Sequence, residues 1–169
     1  HGTRLGYHRP KILYPLLGRP IFDWLIDALS SVCSRYVIVL SPEGRAEVEP
    51  YIASRLHCYY EIVEQEVPTG MGDAVLLAVG KITTPNALVI WGDQVTLRSR
   101  TVQICASVHE ATENVSLTFP TIIKQNPYIH IERDDANRVV AVHQAREGEI
   151  VTNRGENDCG LFLFSSAVL

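Results

Sequence analysis

Residues 20–32 repeat apolar side chains at Ile21, Leu25, Ala28, Leu29 and Val32, the spacing of one helix face, and Pro20 suits a first-turn position. The pattern then changes. Tyr36-Val37-Ile38-Val39-Leu40 is a continuous β-branched and aliphatic run closed by Ser41-Pro42, which predicts a strand buried on both faces. A polar helix is expected over 43–55 and a strand over 59–65. A helix follows over 72–81, with Ala74, Leu77 and Ala78 on one side, then an apolar strand over 86–91 ending at Gly92-Asp93, and a helix over 100–111.

Strands alternating with helices imply a mostly parallel sheet covered on both faces, because parallel neighbours need crossover connections. The expected fold class is therefore α/β, a Rossmann-like three-layer sandwich. After Glu113 the chain turns to short extended runs over 115–123, 128–132, 139–143 and 161–164, some separated by turn chemistry such as Asp134-Asp135-Ala136-Asn137. That half reads as an antiparallel or mixed extension of the first sheet, without a linker, so residues 1–169 are expected to form a single domain. A phosphate loop in such a sheet normally follows a strand, yet the chain opens inside its loop, and it stops at Ala167-Val168-Leu169 where a helix could start. The expectation is a domain lacking its first strand and truncated at both ends.

Composition narrows the function classes. With 169 residues, 46% hydrophobic and 20% charged, the chain has material for a substantial core. A net charge of −4 argues against a general nucleic-acid binder but is compatible with a small anionic ligand in a local cationic loop. Cys33, Cys58, Cys105 and Cys159 lie far apart without metal-binding spacing, which fits unlinked thiols in a reducing cytoplasm. No apolar run is long enough for a membrane helix, and no charged-then-apolar leader is visible. Asn114-Val115-Ser116 matches a glycosylation sequon by chance on this reading.

Candidate chemistry collects at predicted strand ends, where open α/β sheets bind ligands. The opening stretch, through Gly2, Thr3, Arg4, Gly6, Arg9 and Lys11, combines glycines with fixed cations before the first acid at Asp23. Glycine lets backbone N–H groups approach an anion, and Arg and Lys neutralise it; an ordinary basic loop is the alternative. Asp93, after a strand and a glycine, presents a carboxylate that suits Mg²⁺ shared with ligand phosphates, or else caps a turn. From Gln65 to Ala74 an amide precedes a glycine-containing turn that opens a helix. Gln65 could read a base edge while Gly70 and Gly72 let a flat ring lie on backbone, against the alternative of a plain strand-to-helix turn. His8, His57 and His109 read as surface or edge histidines, and Trp24 and Trp91 as packing residues.

Taken together, Gly2-Thr3-Arg4, Arg9-Pro10-Lys11-Ile12-Leu13, Leu17-Gly18-Arg19-Pro20, the Gln65–Ala74 segment and Gly92-Asp93 resemble the sugar-1-phosphate nucleotidyltransferases. The likeness is nearest to the uridylyltransferase domain of bacterial N-acetylglucosamine-1-phosphate uridylyltransferases. It implies that Gly2 and Thr3 wrap the nucleotide phosphates, that Arg4 meets the β- and γ-phosphates, and that Lys11 bridges the α-phosphate and the sugar phosphate. Gln65, Gly70 and Met71 would flank the base, Asp93 would hold Mg²⁺, and Tyr128, Ile129, His143 and Asp158 would flank the sugar. Implied partners are a nucleoside triphosphate and a sugar-1-phosphate, with no nucleic acid and no membrane; a homo-oligomer is compatible with this.

The sequence departs from the family mostly at specificity positions. Pro68 and Met71 replace glutamine and threonine, Ile129 replaces a glycine, His143 replaces an acid that Gln144 could stand in for, and Asp158-Cys159-Gly160 replaces Asn-Thr-Gly. The implied activity is formation of a nucleotide sugar and pyrophosphate. The alternatives are a catalytically inactive regulatory or assembly subunit of the same fold, and a transferase acting on a cytidylyl or other non-sugar acceptor.

Overall fold

In the computed structural model, which describes residues 9–149 and 152–169, a short 3-10 turn at Lys11–Leu13 buries Leu13 and leads into a two-stranded hairpin. Its strands are β1 (Pro15–Leu16) and β2 (Arg19–Pro20), closed by Leu17 and Gly18 at φ 51° and 78°. Two left-handed central residues make a turn whose twist matches the strands. The apolar pattern did not predict this hairpin, because leucine seldom occupies that conformation.

Helix α1 (Ile21–Leu29) starts one residue after Pro20, which precedes the first turn, and buries Ile21, Phe22, Leu25, Ala28 and Leu29. It ends before Val32, since the N–H groups of Val32 and Cys33 both turn back onto the Leu29 carbonyl. Strand β3 (Arg35–Leu40) is followed by α2 (Pro42–Arg55) and β4 (Tyr59–Glu64), and the strands pair in parallel from Arg35↔Tyr59 to Leu40↔Glu64. The start of α2 is well determined: the Ser41 hydroxyl accepts from the Gly44 N–H at 3.1 Å, Pro42 opens the helix and Glu43 complements its dipole. Pro50 sits inside α2, where it has no N–H to give the Ala46 carbonyl.

The chain continues through α3 (Met71–Val79), β5 (Asn86–Ile90) and α4 (Ser99–Ala111). Six short strands follow: β6 (Leu117–Thr118), β7 (Thr121–Gln125), β8 (Ile129–Arg133), β9 (Val139–Gln144), β10 (Arg154–Asp158) and β11 (Leu161–Ser165). Together with β5 they form two antiparallel groups, ordered β5-β11-β6 and β7-β10-β8-β9. The fold is α/β, and among the described residues the parallel ladder is β3 with β4. The expected single run over 115–123 is divided between the two groups at Phe119-Pro120, where proline cannot donate to a ladder. Strand β10 was not predicted at all: Arg-Gly-Glu-Asn-Asp has no strand-forming side chain, and its pairing with Thr121–Gln125 makes it a strand.

The core joins Leu13, Phe22, Leu29, Tyr36, Val48, Ile52, Leu56 and Val102, and so ties the entry turn, α1, β3, α2 and α4 together. Val48, Ile52 and Val102 are wholly buried, each contributing about 1.5–3 kcal/mol. Within this core Asp23 accepts from Tyr51 at 2.9 Å and from Arg55 at 2.8 Å, so its buried charge is paired and pins α1 to α2. Two expectations are corrected. His109 is buried, not a surface histidine, because α4 packs on the β6–β11 group, where the ring meets the Thr118 hydroxyl at 2.9 Å and that of Ser165 at 3.4 Å. Strand β3 buries Tyr36 but leaves Val37 to Leu40 half-buried, since they line a wide cavity. No helix among the described residues is long and apolar enough to cross a membrane.

Candidate active site

Parallel pairing of β3 and β4 carries both chain exits to the same edge, and the Gln65 N–H extends that ladder onto the Leu40 carbonyl at 2.9 Å. A cavity of about 1980 Å³ runs along the whole of β3 and β5, and its lining also includes Lys11, Gly70, Met71, Asp93, Tyr128, Ile129, Gln144 and Asp158. Residues predicted from distant segments thus share one hollow. Gly2, Thr3 and Arg4 lie outside the described residues.

On one wall, Lys11 Nζ stands 3.7 Å from a carboxylate oxygen of Asp93, each side chain about half exposed. The loop after β5 runs against the entry turn, so that a Cβ on Gly92 would sit 3.6 Å from Ile12 Cδ1. This close passage sets cation and anion side by side on the cavity wall. Among the described residues no group of three or more His, Cys, Asp or Glu side chains is arranged to hold a metal. A single exposed carboxylate nevertheless suits Mg²⁺, which takes one or two protein carboxylates and completes its shell with phosphates and water.

The second wall is the turn that opens α3. Gly70, at φ 134° and ψ 178°, holds a backbone conformation that side chains disfavour, and no side chain caps the helix there. Gln65 is drawn into this turn, its amide donating to the Gly70 carbonyl at 3.1 Å and to Asp73 at 3.0 Å. Thr69 donates to the same Asp73 carboxylate at 2.6 Å, and these two bonds hold the Asp73 carboxyl below the usual range. The amide hydrogens of Gln65 therefore brace the turn. Gln65 itself is not among the lining residues, whereas Gly70, Met71 and Gly72 are.

The third wall comes from the antiparallel half. Asp158 ends β10, and its carboxylate accepts from the Gly160 N–H at 2.7 Å. Gly160 has φ 67°, and a Cβ there would fall 2.1 Å from Gln94 Nε2 and 2.9 Å from Trp91 Cδ1. The turn between β10 and β11 is thus pressed onto the loop that carries Asp93, and both aspartates open on the same hollow. Strand β8 supplies Tyr128 at its threshold and Ile129. His143 is placed elsewhere: strand alternation turns Gln144 towards the cavity and His143 away, where it meets Glu132 at 2.7 Å and stacks on His130 with centroids 6.0 Å apart.

A model of the MobA-like NTP transferase domain matches residues 1–159. The chain belongs to that family. Among curated relatives, this MobA-like domain is 30% identical over 176 residues to the bifunctional protein GlmU of Mycolicibacterium paratuberculosis, covering 99% of this chain and 36% of that protein. It spans about a third of the length of the curated relatives it matches. Its fold is shared with HddC from Yersinia pseudotuberculosis, at TM-score 0.68 and 17% identity over 94% of this chain and 68% of that one. A glucose-1-phosphate thymidylyltransferase assigned in Bacillus anthracis matches at TM-score 0.71 and 13% identity, over 95% and 64% of the two chains.

Sequence reasoning missed two contributors to this MobA-like domain's cavity. Gln94 and Asn157 both line it. Gln94 follows the singled-out Asp93, and only the tertiary approach of Gly160 gives it a role. Asn157 precedes Asp158 in a stretch that did not read as a strand, so nothing in the local pattern marked its side chain as buried.

Proposed function

We propose that this domain transfers a nucleotidyl group from a nucleoside triphosphate to a sugar-1-phosphate, releasing pyrophosphate. The observation that carries the reading is Lys11 beside Asp93 on the wall of a cavity that Asp158, Tyr128 and Ile129 also line. Family membership and the shared fold of sugar nucleotidyltransferases support it.

A phosphate oxygen of the sugar-1-phosphate attacks the α-phosphorus of the triphosphate in line; the new P–O bond forms as the bond to pyrophosphate breaks. The nucleophile is already an anion, so no general base is needed. The work left to the protein is to bring anions together and to stabilise charge on the α-phosphoryl group. Lys11 neutralises phosphate oxygens on both reactants. Gly70, Met71 and Gly72 receive the base where backbone is accessible, with Gln65 holding that turn in shape. Asp93 would hold Mg²⁺, which when bound supplies positive charge to the triphosphate. Tyr128, Ile129 and Asp158 flank the sugar, and Gln144 takes the position implied for His143.

The test is pyrophosphate release by the full-length protein with Mg²⁺, each of the nucleoside triphosphates and a panel of sugar-1-phosphates. Turnover with one pairing, lowered about 10²–10³-fold in Lys11→Ala, is the expected result. Nucleotide binding without turnover for any pairing would replace it with the regulatory-subunit reading.

A further inference from the structure

Among the described residues Asp23, His109 and Asn157 are the buried polar side chains. The first two join a helix to its neighbours, but Asn157 lies at the cavity wall. Its Oδ1 accepts two consecutive backbone N–H groups, from Tyr128 at 2.9 Å and from Ile129 at 3.1 Å. Its Nδ2 donates to the Asp158 carbonyl. One carboxamide therefore links the threshold of β8 to the residue that ends β10.

The placement has a local cause. Strands β8 and β10 pair at Glu156↔Ile131. Nearer the cavity, the Tyr128 and Ile129 donors are directed to a side-chain oxygen instead of a strand carbonyl. The Tyr128 carbonyl is held from the opposite side by the Ala145 N–H at 2.9 Å, just past β9. Tyr128 is thus clasped between β10 and β9, with Asp158 on one flank and Gln144 on the other. An apolar residue of the same size at position 157 would leave two donors without an acceptor.

We propose that Asn157 is a positioning residue for the acceptor half of the site. By holding the Tyr128–Ile129 edge beside Asp158, it sets recognition of the sugar phosphate while leaving the nucleotide side, built by Gly70, Met71 and Gly72, unaffected. This rests on the transferase reading given above.

The test varies acceptor and nucleotide separately in pyrophosphate-release assays of the full-length protein, comparing wild type, Asn157→Ala and Asn157→Asp. Amide hydrogen exchange at Tyr128 and Ile129 is followed in parallel. Asn157→Ala is expected to raise acceptor KM about tenfold, with kcat and nucleotide KM within about twofold, and to speed exchange at both amides about tenfold. Asn157→Asp keeps both acceptor bonds but turns the donor at the Asp158 carbonyl into an acceptor, so it should restore the slow exchange at Tyr128 and Ile129 and only part of the acceptor KM. If Asn157→Ala does not fold, Asn157→Ser replaces it, since its shorter hydroxyl cannot reach both donors. An equal rise in both KM values, a fall in kcat with KM unchanged, or unaltered exchange would overturn the proposal. Wild-type turnover with a flat acceptor KM in Asn157→Ala rejects the role of Asn157 alone. No wild-type turnover with any sugar phosphate rejects the transferase reading and the acceptor role with it.

Discussion

Lys11 and Asp93 approach to 3.7 Å, close enough for charge attraction and longer than a strong hydrogen bond, and both stay about half exposed. Such a pair contributes little to stability, so its residues can be changed without unfolding the domain. Lys11→Ala is accordingly expected to lower kcat about 10²–10³-fold with the urea midpoint unchanged. Lys11→Arg should recover only part of the rate, because a planar fork does not replace a point charge between two phosphates. Steady-state kinetics beside urea denaturation checks both.

Asp93→Asn removes the charge while keeping the shape. The Mg²⁺ concentration giving half-maximal turnover should rise at least about tenfold, because the remaining oxygen is a much weaker ligand for a hard cation. Metal titration at saturating nucleotide measures it, and an unchanged Mg²⁺ requirement would remove Asp93 from the metal site.

Gly160→Ala should destabilise the fold by about 1–3 kcal/mol, through a left-handed backbone and contact with the Trp91 ring. Adding Gln94→Ala should return only part of the loss, since it clears one clash and leaves both the backbone and Trp91. Chemical denaturation of the single and double variants reports the difference.

Stability should fall in acid over a defined window. Arg133 donates to both oxygens of Glu156, at 2.7 and 2.8 Å, and holds its carboxyl down at about 2 from an ordinary 4.5. A carboxylate with a lowered folded-state pKa stabilises fully above its unfolded value, so this contribution is complete above 4.5, shrinks as pH falls and is gone below about 2. Arg133 keeps partial solvent contact, which limits the amount to about 1–2 kcal/mol. Glu156→Gln should flatten the unfolding free energy across this window by that amount.

Leu17 offers a gain. It is 86% exposed with φ 51°, so its side chain buries almost nothing while its backbone sits where leucine is disfavoured. Leu17→Asn should raise stability by about 0.5–1 kcal/mol, read as an upward shift in Tm without any change in turnover.

These residues also mark where sequence reasoning reaches. The helices α1 to α4 and strands β3, β4 and β5 were legible because runs such as Ile21 to Leu29 and Tyr36 to Leu40 carry their own period, and Ser41-Pro42 its own start signal. Lys11, Asp93 and Gly70 stood out by residue type and placement, Asp158 only through the family resemblance, and all four line the same cavity; their roles belong to the proposed function. Strand β10, the burial of His109, and the way His143 and Gln144 face were not. Each depends on a partner distant in sequence: Thr121–Gln125 for β10, Ser165 for His109, and the β8–β9 register for His143. Where one residue separates cavity from outer face, as between His143 and Gln144, composition has nothing to say.

The pairing of Leu161 with Ile90 has a consequence for the order in which the domain is built. Helix α2 can bring β3 and β4 together from neighbouring sequence, but Asp158 reaches the Asp93 loop only after the chain between Ile90 and Leu161 has closed on itself. Contacts of that separation are slow to form because the entropy of closing the loop is lost before the contact returns anything. During synthesis the entry turn, α1 and the parallel pair can therefore settle while the acceptor wall is still unmade. The two sides of the cavity meet last, so that on the proposed function competence for transfer would be a late signature of complete folding.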